Sequence, residues 1–161
     1  THSKGILTFT ETFWRKKAAK ISANLGNFTG DFLTQKFWDS GRGQEVKQGL
    51  LTYQRSGKSG ESAGASAAQE ALKDLSLFYP DLTFNNDLQG PFANWKQKKW
   101  AQGSMAYYKK NQFMRYKGVA GEPEYAGHFL FAGEHTSLGF AGTLQGALQS
   151  GLTAAAQISG L

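Results

Sequence analysis

Cysteine is absent from this 161-residue chain. That excludes disulfides, thiol nucleophiles and Cys-ligated zinc, and it suits cytosol and periplasm alike, so it chooses no compartment. No run approaches the ~18 apolar residues that a membrane-spanning helix needs, and no membrane span is expected. Histidine is scarce: His2, His128 and His135 show neither i, i+4 spacing nor a Cys partner, so no metal site is expected. No G-x-G-x-x-G occurs, which removes the pyrophosphate loop of a dinucleotide site. The chain opens on Thr1, with no charged n-region followed by an apolar h-region, and reads as a piece of a longer polypeptide.

What is present fits a folded protein. Hydrophobic residues make up 40% and aromatics 14%, with a formal charge of +6 and a pI near 9.5. A domain of this length buries roughly 70% of its unfolded surface. Three segments read as strands of an antiparallel sheet: Ile6–Thr10, Asp31–Trp38 and Gly49–Tyr53. The first is followed by Phe13-Trp14 and a basic rim of Arg15, Lys16 and Lys17. Residues 56–64 (SGKSGESAG) read as a flexible loop, with Ser62 placed to cap the next helix. There Ala68, Ala71, Leu72 and Leu75 share one helical face, and Pro80 marks the stop.

From Trp95 to Lys117 the character changes. Lys96, Lys98, Lys99, Lys109, Lys110, Arg115 and Lys117 interleave with Trp95, Trp100, Tyr107, Tyr108, Phe113 and Tyr116, and no acidic residue interrupts them. Such a stretch could contact nucleic acid, through phosphates and stacked bases. No nucleic-acid motif accompanies it. The favoured reading is a solvated rim whose aromatics point inward, with no nucleic-acid partner.

The last block carries the chemistry. His128-Phe129-Leu130-Phe131 reads as a strand buried on both faces of a parallel sheet, ending at Ala132-Gly133-Glu134. Beyond it, Leu144, Ala147, Leu148, Gly151, Leu152 and Ala155 fall on one helical stripe. Gly142, Gly146 and Gly151 each cost about 1 kcal/mol inside a helix. Close approach of a ligand near the helix start, and of a strand further along, would explain them. A strand, a tight turn and such a helix start aim free N–H groups and a positive dipole end at a ligand. Glu134-His135-Thr136-Ser137 is no nucleophilic triad, because chain neighbours cannot face one another in those roles. Glu134 suits a ribose or ribityl hydroxyl at the carboxyl end of a strand. On these residues alone the tail binds a polyol-containing or anionic cofactor, as half of a site.

Residues 131–137 (FAGEHTS) followed by 142–151 (GTLQGALQSG) resemble the carboxyl-terminal flavin-binding signature of the flavin-containing amine oxidase family. Residues 100–108 (WAQGSMAYY) resemble its W-x-x-G-[AS]-[YF] segment beside the flavin. Lys4–Trp14 and Trp38-Asp39-Ser40 resemble strands of its substrate domain. The resemblance covers about the last third of a typical member, without the glycine-rich half.

The resemblance implies an α/β fold of partial extent. Residues 1–103 would be an α+β portion of the substrate-binding domain. Residues 104–161 would be the C-terminal strand and helix of a Rossmann-like FAD-binding domain. It implies an FAD-dependent oxidase of an amine or L-amino acid, with hydride passing to flavin N5 and O₂ reduced to H₂O₂. It also implies a second chain carrying the N-terminal FAD-binding half, arising by proteolytic cleavage or separate encoding, and allows a higher oligomer. Lacking Cys, this chain could offer no cysteinyl flavin link.

Residue by residue, Lys4 would be catalytic, holding a water near flavin N5 and assisting oxygen. Its spacing to Trp14 matches the family's. Gly133, Glu134, Gly142, Thr143, Leu144, Ala147 and Trp100 would bind the cofactor, with Glu134 on the ribityl or pyrophosphate region. The backbone at 142–144 would face the N1 and C2=O edge. Met105 and Thr143 stand where monoamine oxidases carry two aromatic residues, so both would contact substrate, and a polar or bulkier amine or an amino acid suits them better. The rival expectation is a non-catalytic binding domain that kept the oxidase tail and lost the cofactor.

Overall fold

The computed structural model describes residues 1–16, 26–80 and 89–160, and the chain divides into two compact units, Thr1–Ser104 and Met105–Leu161. In the first unit, alternation along the sequence becomes the two faces of an antiparallel sheet. Strand β1 (His2–Phe9) buries Ser3, Gly5, Leu7 and Phe9 and turns Lys4, Ile6 and Thr8 to the other side. It pairs with β4 (Gly49–Ser56), so that Leu7 lies opposite Leu51 and Lys4 opposite Gln54. Two further strands, β2 (Phe28–Thr29) and β3 (Lys36–Asp39), and an edge strand, β5 (Gln89–Asn94), complete the order β2-β3-β4-β1-β5. Helix α2 (Ala67–Phe78) buries Ala67, Ala68, Ala71, Leu72 and Leu75 in the same core as Leu7, Leu51, Phe37 and Tyr53.

The aromatic pair after β1 closes the end of this core. Trp14 is fully buried and meets Phe13 and Phe9 edge-on, at 4.8 and 5.5 Å between ring centroids. Its indole N–H donates to Asp39 Oδ2 at 2.9 Å, and Arg15 Nε and Nη2 each lie 2.7 Å from the same oxygen. Asp39 Oδ1 accepts from the Gly41 N–H. Burial pushes the Asp39 carboxyl up, but the indole, the guanidinium and its charge, and the Gly41 amide together hold it below the ordinary carboxylate value. Of the basic rim, Lys16 pairs with Glu11 at 2.5 Å, and Lys17 lies outside the described residues.

Several expectations need correction. Of the expected 31–38 strand only Lys36–Trp38 pairs, within β3, because Asp31–Thr34 turns and the Thr34 N–H donates to Asp74 Oδ2. Residues 57–62 are not a loop but the short helix α1 (Gly57–Ser62). Ser62 ends it, donating back to the Lys58 and Ser59 carbonyls, and does not cap α2. Strand β5 has no counterpart among the expected strands.

In the second unit the expected strand at 128–131 does not form. Phe129 makes one isolated antiparallel bridge to Glu124, and Phe129 and Phe131 are both exposed. A strand needs neighbours along its edges, and the described residues bring this segment no more than that single bridge. The basic-aromatic stretch also differs from expectation: Trp95, Trp100, Tyr107, Phe113 and Tyr116 are exposed rather than turned inward. Lys99, Arg115 and Lys117 instead lie over the faces of Trp100, Tyr116 and Phe113 at 4.7–5.1 Å. Beyond the short helix α3 (Phe113–Tyr116), the regular element that dominates is α4 (Leu144–Ser159). Its stripe forms as a helix face but is uncovered, with Leu144, Leu148 and Leu152 at 91%, 60% and 64% exposure.

Candidate functional site

The start of α4 is assembled from the motif that precedes it. Thr143 is the N-cap: its Oγ1 accepts from the Gly146 N–H at 3.0 Å and donates to the Phe140 carbonyl at 2.7 Å. Gly142 precedes the helix, rather than lying within it, and takes φ +77° to turn the chain into the cap. A Cβ on Gly146 would stand 2.2 Å from the Phe140 carbonyl oxygen, so its close approach is to the chain's own loop. Gly151 has open space around it, so no strand packs there among the described residues.

Glu134 braces this turn. Its Oε1 accepts from the Ala106 N–H at 2.8 Å and its Oε2 from the Gly142 N–H at 2.5 Å. Gly133 donates to Ser150 Oγ at 2.8 Å, tying the motif to the second turn of α4. A carboxylate offers about four lone-pair positions, so Glu134 keeps acceptor capacity for a hydroxyl. The Thr143 N–H is spent on the Phe140 carbonyl. The N–H groups of Leu144 and Gln145 find no acceptor among the described residues, and Leu144 stands in solvent. Two free donors at the positive end of a sixteen-residue helix can hold an anion or an electron-rich ring edge. Ala147, one turn on, is exposed, and Met105 Cε lies 2.5 Å from where a Gly142 Cβ would stand. These groups fit the electron-rich edge of a flavin. Trp100 belongs to the other unit and is 89% exposed.

In the first unit the open face of the sheet carries the remaining chemistry. Lys4 and Lys36 both lie opposite Gln54, one from each side of β4. Their ammonium groups sit 5.4 and 5.8 Å from the centroid of the Trp38 ring. Trp38 faces this side because its neighbour Asp39 is drawn inward to Trp14; Ser40 Oγ reaches Thr52 Oγ1. Beside Lys4, a shallow cavity of about 270 Å³ is lined by Ile6, Thr52, Pro91, Phe92 and Ala93. The sequence reading singled out Lys4 but not Lys36, Gln54 or Thr52, which only strand register brings to it.

Comparison with known proteins gives this arrangement a setting. The model of the family described as flavin containing amine oxidoreductase matches residues 1–159. The chain belongs to that family. YobN of Bacillus subtilis (strain 168), whose name marks it provisionally as an L-amino-acid oxidase, is 31% identical over 93 residues, 58% of this chain and 19% of that protein. Among solved structures, putrescine oxidase bound to putrescine superposes with a TM-score of 0.76 at 18% identity, over 99% of this chain and 35% of that one. Cyclohexylamine oxidase from Brevibacterium oxydans IH-35A gives 0.73 at 19%, over 98% and 34%. This member of the family thus spans about a third of the solved structures it resembles, and has their mixed helix-and-sheet fold over that third.

Proposed function

We propose that this chain is the C-terminal segment of an FAD-dependent oxidase of amines or L-amino acids. The observation that carries the reading is the α4 start, where the free Leu144 and Gln145 N–H groups stand beside a braced Glu134. The flavin, when bound, supplies the hydride acceptor and, with O₂, the route to H₂O₂. The first turn of α4 presents donors and a positive dipole end to the ring edge that gains negative charge on reduction. It therefore favours the reduced state over the oxidised one. Glu134 takes a ribityl or pyrophosphate-side hydroxyl with its spare lone pairs, while Gly133, Gly142, Thr143 and Ala147 shape the surrounding wall.

Lys4 holds a water and assists the reaction with oxygen. Met105 and Thr143 stand on the substrate side without forming an aromatic pair; the Thr143 hydroxyl is engaged by Phe140 and Gly146, so it is the room left there that favours a bulky amine or an amino acid. Thr1–Ser104 serves the substrate and Met105–Leu161 the flavin. A polypeptide carrying the glycine-rich half, joined or separate, covers Leu144, Leu148, Leu152, Phe129 and Phe131, which this chain leaves in solvent. The enzyme is active only in that assembly.

The test is a visible absorption spectrum of the native material, followed by an amine and amino-acid panel with peroxide detection. A flavin spectrum with peroxide release is expected. A colourless, monodisperse 17.6 kDa species that stays folded would overturn the reading. In the assembled enzyme, Lys4→Met slows reoxidation of reduced flavin by O₂ in stopped-flow absorbance; an unchanged oxygen rate removes Lys4 from its role.

A further inference from the structure

On the open face of the sheet, Lys4, Gln54 and Lys36 form one row across β1, β4 and β3. Adjacent strands lie about 4.8 Å apart, so the two lysine Cα atoms are separated by about 10 Å, with Gln54 between them. Both ammonium groups lean over Trp38, and neither pairs with a carboxylate among the described residues. Asp39, the nearest acid along β3, is turned into the core and committed to Trp14 and Arg15. Of the other face residues, Ile6, Thr8, Thr52, Trp38 and Ala93 are uncharged, and His2, two residues from Lys4, is held below its ordinary pKa by burial, the N-terminal charge and Lys4, so it offers no negative charge. Two like charges held over one ring with no counter-ion leave a positive field that an anion would neutralise.

From this juxtaposition we infer that the Lys36–Gln54–Lys4 row beside Trp38 is a carboxylate-recognising subsite. It selects amines that carry a carboxylate and disfavours diamines. The inference rests on the oxidase reading for the reaction, but not for the binding itself. Lys36 supplies charge-assisted hydrogen bonds to the carboxylate oxygens, and Lys4, with three N–H donors, gives one to the carboxylate and keeps the others for its water. Gln54, whose Nε2 already donates to Ser56 Oγ at 3.2 Å, has a second amide N–H to give. The apolar body of the ligand lies on Trp38 or in the cavity walled by Ile6, Pro91 and Phe92. A second ammonium in that place would meet two others without a compensating acid, which is discrimination by repulsion.

The test uses the full flavoenzyme and two matched substrate pairs. Phenylalanine against phenylethylamine probes a carboxylate next to the amine, and p-(aminomethyl)benzoate against benzylamine probes a remote one. Lys36→Met should lower the preference for the acid over its partner about tenfold in one pair, mainly through KM, and Lys36→Arg should restore most of it. The pair that responds tells which carboxylate the row reads. An unchanged preference in both pairs, or putrescine oxidised better than either acid, overturns the subsite. If no flavin or peroxide is found, the oxidase reading has failed, and calorimetric titration with phenylacetate decides the subsite alone. Binding lost in Lys36→Met and kept in Lys36→Arg sustains it; binding that is absent or indifferent to Lys36 overturns it.

Discussion

The two units of this chain follow the same rules of patterning and end in opposite states. In Thr1–Ser104 the apolar faces of a sheet and a helix meet, and Leu7, Trp14, Leu51, Ala71 and Leu75 are fully buried. In Met105–Leu161, α4 has an equally regular stripe, yet among its described residues only Gly146 and Ser150 are buried. Amphipathicity thus prescribes which face must be covered, and burial depends on whether the covering element is at hand. Most of a helix's stability in a protein comes from that covering rather than from propensity.

Substitutions test this contrast. The largest effect is expected at Trp14, fully buried and hydrogen-bonded to Asp39. Trp14→Ala should destabilise the first unit by about 3–5 kcal/mol in urea unfolding followed by circular dichroism. Next comes Asp39→Ala, which strands a buried indole N–H and frees Arg15, for a loss of about 2–3 kcal/mol. The same group sets an acid limit. Its folded pKa lies below the ordinary value of 3.8, so its contribution is complete above that pH and is lost as pH falls through the lower folded value. Wild-type stability should therefore fall more steeply than that of Asp39→Ala below about pH 4.

In the second unit, Gly146→Ala drives a methyl into the Phe140 carbonyl and should loosen the helix start by about 1–3 kcal/mol. Hydrogen exchange of the α4 amides would show it, and unchanged protection would mean the loop simply yields. The smallest effect separates the units most sharply. Leu148→Ala in this chain alone should change stability by less than about 0.5 kcal/mol, since the side chain has little to lose. In an assembly that covers α4 the same change should cost about 2–5 kcal/mol. A large loss in the chain alone would show that α4 is already covered.

Local pattern was enough wherever it repeated and the partner lay nearby in the chain. The ILTFT alternation, the 68–75 stripe and the stripe along α4 could be read directly, because period and spacing are properties of the chain itself. It misled where a distant group took over the backbone. Asp74 claims the Thr34 amide and ends the strand early, and Ser59 joins the Leu33 carbonyl to Arg55 in a helical turn that composition alone marks as a loop. Strand β5 was hidden because Gly90 and Pro91 signal a turn; an edge position tolerates proline, since its missing N–H would face away from the sheet.

The order of residues already sets out the chemistry on offer: Glu134 before a Gly-bearing helix start, Lys4 ahead of Phe13-Trp14, and no pyrophosphate loop. Which of these groups remain available follows from folding. Glu134 spends one lone pair of each oxygen on the backbone, Thr143 is consumed in capping, and Leu144 and Gln145 keep their donors. Folding also decided that Lys36, 32 residues beyond Lys4, shares its ring. Strand register is set by cross-strand pairing and core packing, and those are properties of segments brought together rather than of any one segment.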